Sequence, residues 1–173
     1  MVNFSFRPLL ALALVVLASL PGCAHYHLGT GASPAFASLY LAPVQNPAGV
    51  PQAAATVSIQ LREAFLRDGR VALATSPAEA DAVLTVTLSK YGRETLTALP
   101  TDAGLARKLG LTLDATATLT DRRTGRVLFE NRPLHADRQA FTDSGQLLAE
   151  YDTVPLLAEQ LAQAAAHAVL DTW

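Results

Sequence analysis

Leu111-Thr112-Leu113-Asp114-Ala115-Thr116-Ala117-Thr118-Leu119-Thr120 alternates apolar and polar side chains without a break. Successive side chains of a β-strand point to opposite faces. Leu111, Leu113, Ala115, Ala117 and Leu119 therefore share one face, and Thr112, Asp114, Thr116, Thr118 and Thr120 the other. Period two with threonines on the polar side describes a sheet covered on one face and wet on the other. The fold class follows from what surrounds this strand and what can cover it.

Upstream, Ala82 to Tyr91 repeats the pattern, with Ala82, Leu84, Val86 and Leu88 alternating with Val83, Thr85, Thr87 and Ser89. Downstream, Asp121-Arg122-Arg123-Thr124-Gly125 reads as a hairpin turn whose glycine supplies the positive φ. The returning strand runs from Arg126 to about Leu134, and Pro133, lacking an N–H for the ladder, marks an edge or a bulge. Further out, Ser38 to Val44 reads as a short strand closed by the turn-forming cluster Gln45 to Gly49. Pro51 opens a helix, in which Val57, Leu61, Ala64 and Phe65 recur at helical spacing. Asp68-Gly69 ends it, glycine suiting a left-handed cap. Val71 to Ala74 is a short strand, and Thr75 to Asp81 a connection. Gln146 to Leu170 is helical, with Pro155 predicting a fresh start or a kink and Leu157, Leu161, Ala164, Ala165 and Ala168 forming an apolar stripe. The order is strand, helix, four strands, helix. This predicts an α+β fold: a two-layer sandwich with two helices packed on one face of a mixed, mostly antiparallel four- to five-stranded sheet. The other face, lined by Thr85, Thr87, Thr112, Thr116 and Thr118, is left to solvent or a partner.

The N-terminus sets the compartment. Met1 to Arg7 carries one positive charge and precedes the apolar run Leu9 to Ala18, too short to span a bilayer comfortably. It ends in Leu20-Pro21-Gly22-Cys23, the lipobox pattern, and Cys23 is the single cysteine of the chain. Residues 1–22 are thus expected to be a cleaved signal peptide, 23–37 a lipid-anchored linker, and 38–173 a single domain. Ala24, rather than aspartate, follows the cysteine, which implies sorting to the outer membrane with the domain on the periplasmic side. Of 13 Lys and Arg, one (Arg7) lies in the signal, which leaves 12 against 15 Asp and Glu. No strongly basic field exists, so nucleic acid is not an expected partner.

Chemistry-bearing clusters are sparse. The four histidines, His25, His27, His135 and His167, are scattered, and the His25-x-His27 pair sits in the tether, so no metal site or cofactor is expected. Ser144, in Asp143-Ser144-Gly145, lacks the setting of a nucleophile elbow. The acidic residues show no pairing for acid–base work. No glycine-rich phosphate loop is present. The chain reads as a non-enzyme.

Several segments in their order resemble the lipopolysaccharide-assembly lipoproteins, LptE. They are Cys23-Ala24-His25-Tyr26-His27-Leu28, Ala42-Pro43-Val44-Gln45-Asn46-Pro47, and Leu66-Arg67-Asp68-Gly69-Arg70-Val71. Ala78-Glu79-Ala80-Asp81-Ala82-Val83-Leu84, the hairpin Asp121 to Glu130 and the alanine-rich last helix complete the series. The resemblance covers essentially the whole mature chain. It implies two helices on a mixed sheet, and a plug inside the LptD β-barrel of the outer membrane that assists barrel assembly and places lipopolysaccharide in the outer leaflet. Lipopolysaccharide carries phosphates, which arginine and lysine bind well. The family's implicated basic residues lie in loops at one end of the sheet, but here the expected loop Thr95 to Gly104 holds none. The nearest candidates are Lys90 and Arg93 before it, Arg107 and Lys108 after it, and Arg122, Arg123 and Arg126 at the neighbouring hairpin. The alternative is a periplasmic adaptor or activator lipoprotein that acts on a cell-wall synthase or a secretion channel.

Overall fold

The computed structural model describes residues 34–171 apart from 51, 100–101 and 144. The signal segment, Cys23, His25, His27, Pro51 and Ser144 lie outside the described residues. Five strands and two α-helices follow one another as β1 (Ser38–Leu41), α1 (Ala53–Asp68), β2 (Ala72–Leu73), β3 (Ala82–Leu99), β4 (Asp102–Asp121), β5 (Val127–Phe141) and α2 (Gln146–Leu170). The sheet order is β2-β1-β3-β4-β5, parallel on the β2-β1-β3 side and antiparallel through β3-β4-β5. The expected two-layer α+β sandwich on a mixed sheet is the observed one.

The alternation in β4 is what its burial follows. Leu109, Leu111, Leu113, Ala115, Ala117 and Leu119 are all buried, and each polar residue between them is half-buried on the other face. Ala82, Leu84, Val86 and Leu88 extend the buried row across β3, and Leu134, Ala136 and Ala140 across β5. Val57, Leu61 and Phe65 of α1 and Leu157, Ala158, Leu161, Ala162, Ala165 and Val169 of α2 close the same core. The two helices run side by side in the same direction, since Arg70 beyond the end of α1 bonds Leu170 and Asp171 at the end of α2.

Four local expectations shift. The first strand ends at Leu41, where Pro43 breaks the ladder, and pairing resumes only at a bridge between Gln45 and Thr87. The returning strand, expected to end near Leu134, runs on to Phe141, because β4 is itself longer than its alternation and offers pairing partners as far as Lys108. The segment Thr95 to Gly104 is not a loop: β3 continues to Leu99 and β4 begins at Asp102, paired with register shifts at Thr95/Thr97 and beyond. The alternation of Thr95 to Ala98 breaks at Leu99-Pro100, but strand pairing satisfies the backbone regardless of side-chain pattern. Finally, Pro155 neither restarts nor ends α2. Pro155 and Tyr151 are both exposed, so the carbonyl that the proline leaves unpaired faces solvent.

Helix ends are held by side chains from elsewhere. Gly69 (φ 73°) closes α1 with its N–H on the Phe65 carbonyl, as the glycine predicted. At α2, Arg132 Nη1 donates to the Ala168 carbonyl at 2.7 Å and Arg70 Nη1 to the Leu170 carbonyl at 3.2 Å. Both bonds satisfy carbonyls that a helix terminus leaves without partners and set positive charge against its negative end. Arg70 also grips Asp68 (2.8 Å) and Asp171 (2.8 Å). The Asp68 carboxyl is held below its usual range chiefly by Arg70, and that of Asp171 by His167 first and Arg70 second.

Strand β5, 15 residues long, is a free edge of the sheet, the kind of edge that invites pairing with other chains. Thr142 N bonds the Arg107 carbonyl, and the antiparallel alternation then turns the backbone groups of Pro133, His135, Asp137 and Gln139 outward. Pro133 has no N–H to offer. The Asp137 N–H reaches Gln160 Oε1 (3.4 Å), and Arg138 donates to both the Asp137 carbonyl (3.1 Å) and Gln160 (2.7 Å). The middle of the edge is thereby closed by the chain's own side chains.

Two outcomes follow. Leu113→Ala should cost about 2–5 kcal/mol by leaving a cavity, whereas Thr116→Ala on the open face should stay within about 1 kcal/mol, both read from urea midpoints. The depressed carboxyls of Asp68 and Asp171 contribute stability that is present above the ordinary aspartate value and lost as pH falls through their lowered ones. Arg70→Gln should flatten that acid limb in midpoints taken between neutral pH and pH 3; an unchanged limb would refute the clamp.

Candidate functional site

The register puts the three hairpin arginines at one end of the sheet, Arg107 and Lys108 toward the other, and Lys90 and Arg93 between them. Ala82 pairs with Asp121 and Leu99 with Asp102, so the hairpin 121–126 lies at one end and the β3–β4 tip at the other. Arg107 and Arg122 are separated by most of β4, roughly 50 Å at the usual rise. The expectation that Arg122, Arg123 and Arg126 neighbour the other four is corrected. A hairpin adjacent in sequence is remote in space because strand β4 is so long.

These other four candidates have different surroundings. Lys90 is exposed on the open face, opposite Asp114. Arg93 points to the helix side and donates to Glu150 of α2 at 3.1 Å. Tyr91 donates to the same carboxylate at 3.4 Å. Burial, then the negative Glu150, pushes the Tyr91 hydroxyl up to about 12, and Glu150 raises the Arg93 guanidinium. Arg93 is thus committed to docking the start of α2. Arg107 is exposed, and the Lys108 ammonium stands 5.6 Å from the centre of the Phe141 ring, within cation–π range.

The tip end also exposes apolar side chains that sequence reasoning passed over. Leu96, Phe141, Leu147, Leu148 and Tyr151 are all exposed, Leu147 at 84%. A pocket of about 140 Å³ lined by Val50, Tyr91, Leu147, Glu150, Tyr151 and Val154 opens beside them. The signal was present in Leu147, Leu148 and Tyr151, which precede the Leu157-to-Ala168 stripe. Apolar patches rimmed by polar residues are a usual mark of interaction sites. On the open face, Gly92 lies opposite Thr112, and a Cβ there would collide with the threonine hydroxyl.

At the other end, the hairpin is built by Asp121. Its carboxylate accepts the Thr124 N–H (2.9 Å), its N–H bonds the Arg126 carbonyl (2.8 Å), and Gly125 takes φ 70°. Arg122, Arg123 and Arg126 are exposed. Next to it Asp81 fastens the incoming chain. Its Oδ2 accepts the N–H groups of Ala37 (3.1 Å) and Ser38 (2.9 Å) and the Ser38 hydroxyl (2.9 Å), while its carbonyl takes the Arg122 N–H (2.8 Å). Ser38 donors chiefly lower the Asp81 carboxyl, and the Thr124 N–H that of Asp121.

His135 bonds Asp114 (2.6 Å), and His167 bonds Asp171 (2.5 Å). Among the described residues no three histidine, cysteine or acidic side chains converge to hold a metal ion, and no helix is long and apolar enough to cross a membrane.

The domain is thus a mixed five-stranded sheet with two helices on one face, an apolar patch toward one end and a basic hairpin at the other. The profile of the lipopolysaccharide-assembly family, LptE, matches residues 36–169, most of the chain, and the protein belongs to this family. It is a lipopolysaccharide-assembly lipoprotein. No curated protein sequence matches it. Solved structures share the fold. A protein from Xanthomonas campestris is 16% identical with a TM-score of 0.56, over 80% of this chain and 86% of that one. The lipoprotein B of Nitrosomonas europaea is 16% identical with a TM-score of 0.52, over 85% and 88%. The hypothetical protein CT253 from Chlamydia trachomatis is 10% identical with a TM-score of 0.54, over 76% and 95%.

Tyrosinate absorbance should show one group titrating up to about 12, and Glu150→Gln should bring it part of the way back, burial being the larger cause. Because the folded value is raised, the associated stability is lost as pH climbs from the unfolded value near 10 through about 12. In Asp81→Ala, hydrogen exchange at Ala37 and Ser38 should quicken while Leu113 stays protected; parallel quickening of both would mean global unfolding instead.

Proposed function

We propose that the chain is an outer-membrane lipoprotein, acylated at Cys23, that plugs and assists assembly of the LptD β-barrel for lipopolysaccharide transport to the outer leaflet. The family match over residues 36–169 carries this reading. The chemistry of the tip end supports it. Leu96, Phe141, Leu147, Leu148 and Tyr151 offer apolar area, beside Arg107 and Lys108. An amphipathic ligand with acyl chains and phosphates, or the lining of a barrel, finds both kinds of partner there. Arg93 is a docking residue in this reading, because its guanidinium is taken by Glu150. The action is physical: filling a lumen, templating a barrel and keeping lipopolysaccharide dispersed. No bond is made or broken.

Cross-linking in cells followed by purification of the tagged chain tests this. An LptD-type barrel should be captured, and a cysteine placed at Leu147 should cross-link to it in preference to one placed at Arg123. Depletion should lower lipopolysaccharide at the cell surface. Recovery of a penicillin-binding protein or a secretin in place of the barrel would overturn the proposal.

A further inference from the structure

The end of the domain opposite the tip has its own chemistry. We propose that the hairpin 121–126 is a membrane-surface contact in which Arg122, Arg123 and Arg126 bind phosphates of anionic phospholipid heads. The leaflet is the one that holds the acylated Cys23, and the inference rests on that acylation.

Three observations converge. First, the register and the Asp81 clasp put the hairpin next to the point where the chain comes in. Asp81 holds Ala37 and Ser38 through its carboxylate and Arg122 through its carbonyl. Second, the chain between Cys23 and Phe36 is short, thirteen residue steps that reach at most about 45 Å when fully extended. A domain tethered by Cys23 keeps this end within that distance of the bilayer, whereas Arg107 lies roughly 50 Å further along β4. Third, these arginines are accessible. All three are exposed, and among the described residues none forms a direct ion pair, while Arg70 and Arg93 do; the Arg123 side chain acts on Asp81 and Asp121 only through its charge. Arg67, exposed in the last turn of α1, stands at the same end.

The end is not uniformly positive. Asp81 and Asp121 keep their charge well below neutral pH, because the Ser38 hydroxyl and then the Ser38 and Ala37 N–H groups lower the first carboxyl, and the Thr124 N–H the second. Their lone pairs are directed at those donors, so the arginines are not drawn into bidentate pairs with them. Each is left to engage a phosphate through its planar fork. A lone acyl anchor tethers without orienting; a basic turn beside the tether adds the second contact that orients the domain.

The mature chain with Cys23→Ser, which leaves only the protein surface to bind, is sedimented with vesicles of phosphatidylcholine alone or mixed with phosphatidylglycerol. A basic residue at an anionic surface is worth roughly fivefold, so three should give at least about a tenfold preference for the mixed vesicles, falling with salt. R122Q/R123Q/R126Q should remove most of this preference, and R62Q, at an exposed position in the middle of α1, should leave it intact; unchanged melting of both variants shows that they are folded. No preference in the parent, an equal loss in both variants, or a preference that survives undiminished in the hairpin triple overturns the proposal. Hairpin-dependent binding to lipid A vesicles but not to phosphatidylglycerol would make the turn a lipopolysaccharide site and also overturn it. Acylation is read separately, from the mass of the chain recovered from membranes; an unacylated Cys23 refutes the tether, and with it the proximity on which the proposal stands.

Discussion

The one-sidedness of β4 is the constraint on which the rest of the structure depends. Its inward row, from Leu109 to Leu119, is buried at 2% exposure or less. Neighbours on both sides continue that row, so the sheet presents one unbroken apolar face that must be covered. Helix α2 does most of the covering, and its small residues matter for how. Ala158, Ala162 and Ala165 sit in the same buried cluster as Ala115, Ala117 and Ala136 of the sheet. Small residues on both layers bring helix and sheet close, and close packing gains dispersion contacts that larger gaps would lose.

Arginines then fix the layers in place. Arg70 and Arg132 take the last carbonyls of α2, Arg93 holds Glu150 near its start, and Arg138 holds Gln160 in its middle. Four of the chain's basic residues are therefore structural. What remains uncommitted lies largely at the two ends, which differ in kind: apolar side chains with a few cations at the tip, and a compact basic turn where the chain comes in. A domain with chemically distinct ends has a defined direction.

The layers of the sandwich were legible because they depend on local periodicity. The alternation of Leu111 to Thr120, the helical spacing of Val57, Leu61 and Phe65, and the Gly69 stop each act over a few residues. The same holds for Pro133, whose edge position follows from its missing N–H. The tip was not legible, since the alternation of Thr95 to Ala98 breaks at Leu99-Pro100 and the segment forms strand only because its backbone finds partners across the hairpin. Pro155 misled for a related reason: a proline breaks a helix by removing one bond, and here tertiary packing of the flanking turns outweighs that loss.

The sequence by itself determined which residues of the alternating strands face inward, where the turn at Asp121 to Gly125 falls, and that Cys23 sits in a lipobox. Only the tertiary structure decided which basic residues share an end. Arg107 and Arg122 are near in the chain and far in space, whereas Asp81 joins Ser38 to Arg122 across 43 and 41 positions. Side-chain character is written residue by residue, but its grouping depends on strand length and register. These are set by long-range pairing that no short window of sequence contains.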